Sequence, residues 1–371
     1  MIWFWIILQA LTLMGVAHYW WHLPVERQEE APDGVVLLVS VRDEWDGGAA
    51  LIAKLKAQSV AFRLIVATSG ACPAADALAA REGGWVQVVA AGVAGDEGQK
   101  VHKLRAALRA LRPDDRYLVF IDADIEPPAR LVGRLLFPLV RDKADIVTGY
   151  RLLLPDRSVM AALVGAVEMQ LATMPRFANA TMPWGGSMAM TRAVADRLDL
   201  DAVLAGKLSD DMAIGLAGWQ AKLRLRPVRD LLVASPLEGA ASDMVGFGVR
   251  QYRHIVTNSA GMWGMATAAV AVQSAAWLWA LAWGGWTAIA IGYAAAWGRA
   301  LMRRRITNAV LEPAQAARAT RSLLWDGVAP FAVVWAHLTV QIVAALSNRI
   351  GWGGWDYRVK SGRVVRMARR T

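Results

Sequence analysis

Short apolar runs alternate with segments of helical periodicity through the first half of the chain. Runs rich in Val, Ile and Leu predict buried strands at residues 35–41, 62–67, 85–90, 117–121 and 145–149. Apolar residues at helical spacing predict helices between them, at residues 49–57, 74–81, 99–111 and 129–140. Further along, a helix is predicted at residues 203–219 and a short strand pair at residues 223–235. This alternation is typical of an α/β fold with a mostly parallel sheet and right-handed crossovers.

A long apolar run at the start of the chain predicts a membrane anchor. Residues 1–22 are almost entirely apolar, and about twenty such residues span a bilayer as a helix. A cleaved signal peptide is the alternative, because Gly15-Val16-Ala17 resembles a cleavage site. No Lys or Arg precedes the run, which favours an uncleaved anchor.

Three later segments complete the predicted membrane region. Residues 262–302 are roughly twice the length of one span, and Gly284-Gly285 interrupts them, so we expect a hairpin of two helices. Residues 323–346 are predicted to be a third C-terminal membrane segment that either spans or re-enters, with a simple span preferred. Residues 157–176 are too polar for a span and predict an amphipathic helix at the membrane surface.

Charge and composition favour a membrane protein over one that binds nucleic acid. The chain is 56% hydrophobic, its net charge is +10 at pH 7, and its basic residues cluster beside apolar runs. This distribution is typical of the positive-inside pattern and of contact with anionic headgroups. It places Arg299 to Arg305 in the cytoplasm, whereas the basic tail, residues 347–371, would lie outside if residues 323–346 span. The single cysteine, Cys72, fits a reducing compartment.

The candidate chemistry centres on the segment from Tyr117 to Pro128. An apolar strand there runs into Asp122-Ala123-Asp124. Two carboxylates at the carboxyl end of a central strand lie where open α/β sheets bind ligands. Their oxygen atoms suit Mg²⁺ or Mn²⁺, which bridge to substrate phosphates. Two solvated acids in a turn would produce the same short pattern.

Three further groups are candidates for binding a nucleotide sugar. Asp43 and Glu44 follow the first strand, where an acid can accept hydrogen bonds from a base or ribose. Lys100 begins a predicted helix, and a cation at a helix N-terminus favours a diphosphate. Gly186 lies in a turn where backbone can approach a sugar or phosphate closely. A solvated loop, an exposed first turn and a structural turn are the respective alternatives.

Two later groups are candidates for catalysis. Asp210 and Asp211 begin a helical pattern, and one of them can serve as a general base, although helix capping also favours acids there. Arg250 and Arg253, which flank Gln251, lie three residues apart and share a helix face. Two guanidiniums so placed can clamp a pyrophosphate leaving group. Anchoring by the positive-inside pattern would require the same arginines.

In order and spacing, these groups resemble those of the membrane-bound family 2 glycosyltransferases, most of all the ceramide glucosyltransferase branch, with family 21 and hopanoid glycosyltransferases as relatives. Those enzymes carry an acid after strand one, a D-x-D, a later acidic pair that ends in the base, and a (Q/R)-x-x-R-W motif before the membrane. Lys100 matches a family lysine, and His254 stands where the family has Trp. The residues at the other positions are Asp43 and Glu44, Asp122 and Asp124, Asp210 and Asp211, and Arg250 and Arg253.

The resemblance implies a GT-A fold over residues 34–259, on the cytoplasmic face of a bacterial inner membrane. It implies inverting transfer of a hexose, by default glucose from UDP-glucose, to a lipid hydroxyl such as that of ceramide or a hopanoid. Asp211 would be the base, with Asp210 beside it. Asp122 and Asp124 would hold Mg²⁺ or Mn²⁺ on the diphosphate, with Arg250 and Arg253 offsetting its charge. Contacts to the nucleotide sugar would come from Asp43, Glu44, Lys100, Asp122, Gly186 and Gln251.

Two other functions remain open on the sequence. A processive polysaccharide synthase requires a channel of several packed spans, and the sequence offers about three after the domain. A non-catalytic, membrane-tethered nucleotide-sugar-binding protein would tolerate loss of the base, yet both Asp210 and Asp211 are present. His254 offers a smaller and more polar face than Trp to a growing sugar chain, which favours a single-sugar product.

Overall fold

The computed structural model describes residues 1–24, 28–179 and 181–370, and the chain divides into two compact units. One, which we call the sheet unit, comprises Pro24–Arg151, Arg176–Val233 and Arg349–Thr371. The other, which we call the helical unit, comprises Met1–Leu23, Leu152–Pro175 and Ala234–Asn348. Each unit is therefore assembled from three separate stretches of sequence.

Seven strands form one sheet in the order β3-β2-β1-β4-β6-β5-β7. Their bounds are β1 (Val35–Ser40), β2 (Arg63–Thr68), β3 (Val86–Ala90), β4 (Tyr117–Asp122), β5 (Ile146–Pro155), β6 (Ser187–Thr191) and β7 (Leu225–Leu237). The pairs β1–β2, β2–β3 and β1–β4 are parallel, whereas β6 runs antiparallel to β4 and to β5. The prediction of a mostly parallel α/β sheet is thus confirmed.

The register of β1 and β4 brings their carboxyl ends to one edge. Val35 is opposite Tyr117, and Ser40 is opposite Asp122. Because parallel neighbours end at the same edge, the loops after β1 and β4 share that edge. The D-x-D and the Asp43 loop therefore belong to the same end of the sheet.

Helices cover the two faces of this sheet with two separate cores. Leu37 and Val39 of β1 point into one core, and Val36 and Leu38 point into the other. Burial on both faces explains why these strands are continuously apolar rather than alternating. The first core contains residues of α2 (Gly48–Lys56), α3 (Pro73–Glu82) and α5 (Leu131–Val140). The second contains residues of α4 (Gln99–Arg109), α7 (Arg192–Leu198), α8 (Leu200–Leu204) and α9 (Asp210–Gln220).

The helical unit contains seven helices of the described chain. They are α1 (Ile2–Trp21), α6 (Val159–Ala172), α10 (Ala241–Asn258), α11 (Ala260–Ala282), α12 (Gly285–Val310), α13 (Pro313–Val328) and α14 (Pro330–Ala345). Of the described helices, α1 and α11 are each long and apolar enough to cross a membrane. The pair α13 and α14 meets the same test only together, with a bend of 101° between them. Such a pair is a broken span or a re-entrant loop.

Residues 323–346 contain the end of α13 and the whole of α14 rather than one continuous helix. The helix breaks at Ala329 and restarts at Pro330. Proline has no backbone N–H and disfavours helical geometry at the preceding residue, which explains the break. The bent pair α13–α14 is compatible with either a broken span or a re-entrant segment.

The predicted two-helix segment after residue 262 is present as α11 and α12, which meet at Gly284. A Cβ at Gly284 would lie 2.6 Å from that of Ala288, so glycine permits this close turn. Arg299 and Arg303 of α12 are buried rather than solvated. Arg299 donates to Gln9 and Thr12 of α1, and Arg303 pairs with Asp326. That the two helices cross a membrane stays a prediction.

The basic tail is folded, and it belongs to the sheet unit. It forms an antiparallel sheet in the order β10-β9-β8, from β8 (Arg349–Trp352), β9 (Trp355–Lys360) and β10 (Arg363–Arg369). Because the same unit contains Asp122, the tail and Asp122 lie on one side of any membrane. An even number of crossings between β7 and β8 follows from this.

Two local predictions were wrong. The segment predicted as a short strand pair is one long strand, β7. The helix predicted at residues 203–219 is split into α8 and α9, because Gly206 adopts a left-handed conformation with φ of 73°.

Candidate functional site

The D-x-D lies at the carboxyl end of β4. Asp122 is the last residue of the strand and is partly exposed, and Asp124 is exposed. Ile125 is buried directly after it and anchors the turn to the core. The local sequence thus fixes the backbone while leaving Asp124 accessible to a ligand.

Lys100 connects the D-x-D to the later acid pair. It is the second residue of α4, and its Nζ lies 2.7 Å from Asp122 Oδ1 and 3.1 Å from Asp210 Oδ1. Its side chain is only 13% exposed. Burial alone would lower the pKa of Lys100, but Asp122, Asp210 and Asp211 outweigh it and raise the pKa above the ordinary lysine value. Lys100 is therefore a firmly charged bridge between two carboxylates.

Asp210 is the buried member of the acid pair. It is 2% exposed, and its Oδ2 has no hydrogen-bond partner among the described residues. Burial raises the pKa of Asp210 to about 6 against the opposing effect of Lys100, while Asp211 and Asp122 add to the rise. A carboxylate so enclosed suits a role in holding Lys100.

Asp211 is the more accessible member of the pair. Its side chain is half-buried in the first turn of α9. It accepts hydrogen bonds from Ser209 Oγ, from Met212 N at 2.7 Å and from Gly185 N at 3.4 Å. These donors fix the carboxylate direction, and partial exposure leaves it open to an acceptor. The capping that the sequence allowed for is present, since Ser209 is the N-cap residue.

The glycine pair before β6 closes around these carboxylates. A Cβ at Gly185 would lie 2.4 Å from Asp210 Oδ2 and 2.9 Å from Lys100 Nζ. A Cβ at Gly186 would lie 2.6 Å from Asp122 Oδ2. Only glycine permits this approach of backbone to the charged cluster. A Cβ at Gly186 would also lie 2.2 Å from Cζ2 of Trp184, so the neighbours of this glycine are the Trp184 ring and Asp122. Contact of Gly186 with a sugar stays a prediction.

The donor set fits a hard divalent cation completed by a substrate. Among the described residues, no three His, Cys, Asp or Glu side chains are grouped closely enough to hold a metal on their own. Asp122 and Asp124 supply two carboxylates, and Lys100 occupies only one oxygen of Asp122. Mg²⁺ is typically bound by one or two carboxylates together with substrate phosphates. Such an ion fits here when a diphosphate supplies the remaining ligands.

The acids after β1 are exposed at the same sheet edge. Ser69 N donates to Asp43 Oδ1 at 3.2 Å, which orients that carboxylate, whereas Glu44 points to solvent. Lys103, which we did not predict, lies buried nearby and donates to the Val41 carbonyl at 2.6 Å. Burial lowers the pKa of Lys103 to about 8, despite the attraction of Asp43. The sequence did contain a signal for this buried lysine, because Lys103 lies three residues after Lys100 on a helix face of apolar residues.

The basic motif lies on α10, in the helical unit. Arg253 donates from Nε to the Ala344 carbonyl and from Nη2 to the Val343 carbonyl, both at 3.2 Å, and so caps the end of α14. The Arg250 guanidinium lies 5.2 Å from the centre of the Phe247 ring. Tyr252 is hydrogen-bonded to His337 of α14. Diphosphate contacts for Arg250, Gln251 and Arg253, and an acceptor role for His254, stay predictions.

Comparison with known families identifies the domain that carries these side chains. Residues 54–235 match the family described as "Glycosyltransferase like family 2". Residues 54–235 are therefore similar to a family 2 glycosyltransferase domain. This family 2 domain includes Lys100, the D-x-D and the Asp210–Asp211 pair, and it ends before Arg250. No curated protein matches the chain.

One solved structure supports the fold. A mannosyltransferase, PcManGT from Pyrobaculum calidifontis in complex with GDP-Man and Mn²⁺, is similar with a TM-score of 0.51 and 15% identity, over 93% of this chain and 98% of that chain. At that identity the likeness concerns the fold alone, which is GT-A-like around the family 2 domain. A mycobacterial protein of known structure matches with a TM-score of 0.38 and 17% identity, over 61% of this chain and 74% of that chain.

Proposed function

We propose that this chain transfers a hexose from a nucleotide sugar to the hydroxyl group of a membrane lipid, with inversion at the anomeric carbon. The observation that carries the proposal is the bridge from Lys100 to Asp122 and Asp210, because it joins the D-x-D and the acid pair in one site. Glucose from UDP-glucose and ceramide or another hydroxylated lipid are the proposed donor and acceptor, from the resemblance to the ceramide glucosyltransferase branch.

Asp211 is the proposed general base. Its carboxylate is half-buried and is oriented by Ser209, Gly185 and Met212. In this role it takes the proton of the acceptor hydroxyl as the oxygen attacks the anomeric carbon opposite the departing diphosphate. The carbon–oxygen bond to the acceptor forms as the bond to the diphosphate breaks, so no covalent sugar–enzyme intermediate is required.

Asp122 and Asp124 are the proposed ligands of Mg²⁺ or Mn²⁺. When bound, the ion offsets the charge that develops on the diphosphate as it leaves. Lys100 pairs with Oδ1 of Asp122 and leaves its other carboxylate oxygen for the ion. Asp43 and Glu44, at the same sheet edge, are proposed to contact the base and ribose, and Arg253 is proposed to leave its capping position to meet the diphosphate.

The proposed location is the cytoplasmic face of a bacterial inner membrane. The two helices long enough to span support membrane association. Asp122 and the basic tail lie on the same side of the membrane if α11 and α12 form a hairpin and the bent pair α13–α14 re-enters. A basic tail on the cytoplasmic side agrees with the positive-inside pattern. An introduced cysteine near Arg304, in a Cys72→Ser background, should resist an impermeant reagent applied from outside. Labelling from that side would refute the hairpin.

A donor and acceptor screen tests the proposed function. The purified chain in lipid nanodiscs is incubated with UDP-glucose or GDP-mannose, the latter because the similar mannosyltransferase was solved with GDP-Man. Products are separated by thin-layer chromatography and identified by mass spectrometry. We expect one sugar on one lipid, nucleotide diphosphate release that depends on the lipid, and loss of both in excess EDTA.

Each other outcome contradicts a defined part of the proposal. A ladder of products indicates a processive polysaccharide synthase. Donor binding without turnover on any lipid indicates a non-catalytic binding protein. Full turnover in excess EDTA excludes the metal role of Asp122 and Asp124. The variant Asp124→Asn tests whether Asp124 itself binds the metal, and Asp114→Asn, at an exposed position, is the control.

A further inference from the structure

The inner face of the C-terminal sheet packs against the loop that leads into the acid pair. Leu208 is 0% exposed and packs with Ile350, Tyr357 and Val359 of that sheet. Leu208 immediately precedes Ser209, the N-cap residue of the helix that begins with the acid pair. The position of the proposed base is therefore coupled by packing to the last strands of the chain.

Hydrogen bonds reinforce this coupling at two places. Tyr357 is 2% exposed, and its hydroxyl accepts a hydrogen bond from Gln99 N at 3.3 Å, one residue before Lys100. Val364 N donates to the Gly206 carbonyl at 2.9 Å, which extends the sheet onto the loop. The C-terminal sheet thus supports both the start of α4 and the approach to α9.

The outer face of the same sheet carries a row of arginines. Arg349 is directly opposite Arg358, and Arg358 is directly opposite Arg366, across all three strands. All three side chains are exposed, and Lys360 opposite Arg363 adds a second basic pair. Like charges directly opposite each other destabilise a sheet. Neither Arg358 nor Arg366 forms an ion pair with an acidic side chain among the described residues.

Protection of sheet edges does not account for this row. Lysine and arginine on edge strands discourage edge-to-edge aggregation, which would explain charges on β8 and β10. Arg358 lies on β9, the central strand, where no edge needs protection. A repulsive row that includes the central strand indicates an anionic partner that offsets it.

The sequence position of the row favours a lipid surface as that partner. The apolar helix α14 ends at Ala345, and β8 begins at Arg349. Three residues lie between them, so the Cα atoms of Ala345 and Arg349 are at most about 14 Å apart. The screening length at physiological salt is about 8 Å, so charges tethered this closely to a membrane segment act on its headgroups.

We propose that the outer face of the C-terminal sheet binds anionic phospholipid headgroups and thereby steadies the loop of the Asp210–Asp211 pair. Headgroup phosphates offset the repulsion among Arg349, Arg358 and Arg366, so the sheet opens less often. Because Leu208 and Tyr357 connect the sheet to the acid pair and to α4, a steadier sheet holds Asp211 in position. The turnover consequence rests on the proposed transfer reaction, whereas headgroup binding rests only on the proposed membrane location.

Hydrogen exchange of the full chain in nanodiscs tests the proposal without any sugar donor. Discs of phosphatidylcholine are compared with discs that also contain phosphatidylglycerol. We expect the anionic lipid to slow exchange in β8, β9 and β10 and in residues 204–212. The expected slowing is about fivefold or more, which is the effect of a single basic residue near an anionic surface. The double variant Arg358→Gln/Arg366→Gln should lose this response. The matched control Arg112→Gln/Arg226→Gln removes the same charge from exposed positions and should keep it.

Turnover supplies the second measurement. The native chain and the control should gain activity with phosphatidylglycerol and lose the gain at high salt, whereas the Arg358/Arg366 variant should show no gain. Equal exchange in both discs, or an unchanged response of the Arg358/Arg366 variant, would overturn the proposal. Protection by inorganic phosphate alone at matched ionic strength would overturn the lipid assignment, and so would tighter protection by RNA. Lipid-dependent exchange without turnover on any acceptor would refute the proposed function alone.

Discussion

The sheet unit contains two charged regions that are built on opposite principles. Around Lys100, opposite charges are largely removed from water and bonded to one another, as in the contacts to Asp122 and Asp210. On the outer face of the C-terminal sheet, like charges stand side by side in water, as Arg358 does beside Arg366. The first arrangement pairs its charges within the protein, whereas Arg358 and Arg366 of the second form no ion pair with an acidic side chain of the described residues.

This difference predicts how each region responds to mutation. A buried charge that loses its partner retains the full cost of desolvation, so loss of a partner is severe. An exposed charge is already solvated, and its removal costs little or relieves repulsion. Substitutions near Lys100 should therefore have large effects, and those on the C-terminal sheet should have small or conditional ones.

The largest effect is expected from Lys100→Met. This change leaves Asp210 buried with a charge and no cation, which typically costs about 3–5 kcal/mol in the free energy of unfolding. Thermal unfolding in detergent measures the loss, and turnover should disappear with it. Lys100→Met/Asp210→Asn should recover part of the stability, because the stranded carboxylate is removed.

Lys56→Met is the matched control for Lys100→Met. Lys56 is 54% exposed in its pair with Glu82, and Arg81 still pairs with Glu82 when Lys56 is lost. A surface pair of this kind contributes about 0–1 kcal/mol. A similar loss of stability in the two variants would show that the Lys100 cluster is not the buried, paired arrangement described above.

Asp211→Asn should come next in size, on turnover alone. The amide keeps the shape of the side chain and can still accept from Met212 N, but it cannot take a proton. Loss of a general base typically reduces the rate about a hundred- to ten-thousandfold. Calorimetric binding of the nucleotide diphosphate should stay close to that of the native chain. Retained turnover in Asp211→Asn would assign the base elsewhere, with Asp210 as the first candidate.

The local sequence pattern predicted part of the charged region around Lys100. The apolar strand before Asp122, and the acids at residues 210 and 211, were found because strand ends and helix starts leave a sequence signature. Their connection through Lys100 spans more than a hundred residues and has no such signature. The burial of Asp210 relative to Asp211 likewise depends on Gly185 and Gly186, whose contacts are set by the assembled sheet.

The C-terminal sheet was missed for a different reason. Residues 357–360 alternate between buried and exposed positions, which is a strand pattern, but the interpretation of the tail rested on its basic charge alone. Its inner residues gain their partners from Leu208 and neighbouring strands, which are distant in sequence. The break at Pro330 was visible in the sequence, yet hydropathy over residues 323–346 gave a continuous segment. Composition outweighed local backbone rules in both cases.

A smaller, pH-dependent effect is expected from Asp210→Asn. The pKa of Asp210 is about 6 in the folded chain against an ordinary 3.8, so folding favours its protonated form. This contribution to stability is fully present below pH 3.8 and is lost as the pH rises through 6. The stability of the native chain relative to Asp210→Asn should therefore fall, by at most about 3 kcal/mol, between roughly pH 4 and pH 7.

Thermal unfolding of the two proteins across that pH range is the measurement. Asp114→Asn, at an exposed position, should show no such change and serves as the control. A relative stability of the native chain that rises with pH would mean that the pKa of Asp210 is depressed, with Lys100 outweighing burial.

The smallest effect is expected from Tyr357→Phe, which removes one hydroxyl between the two regions. The hydrogen bond from Gln99 N is lost, and a typical single bond of this kind contributes about 0.5–1.5 kcal/mol. Because Gln99 precedes Lys100, a looser start of α4 should lower kcat severalfold while KM for the donor stays nearly unchanged. Tyr293→Phe, on α12 of the helical unit, removes a hydroxyl elsewhere and should leave both constants unchanged. A loss of thermal stability in Tyr357→Phe with native kcat would show that Tyr357 supports the sheet alone, and that the Lys100 cluster holds its geometry without the C-terminal sheet.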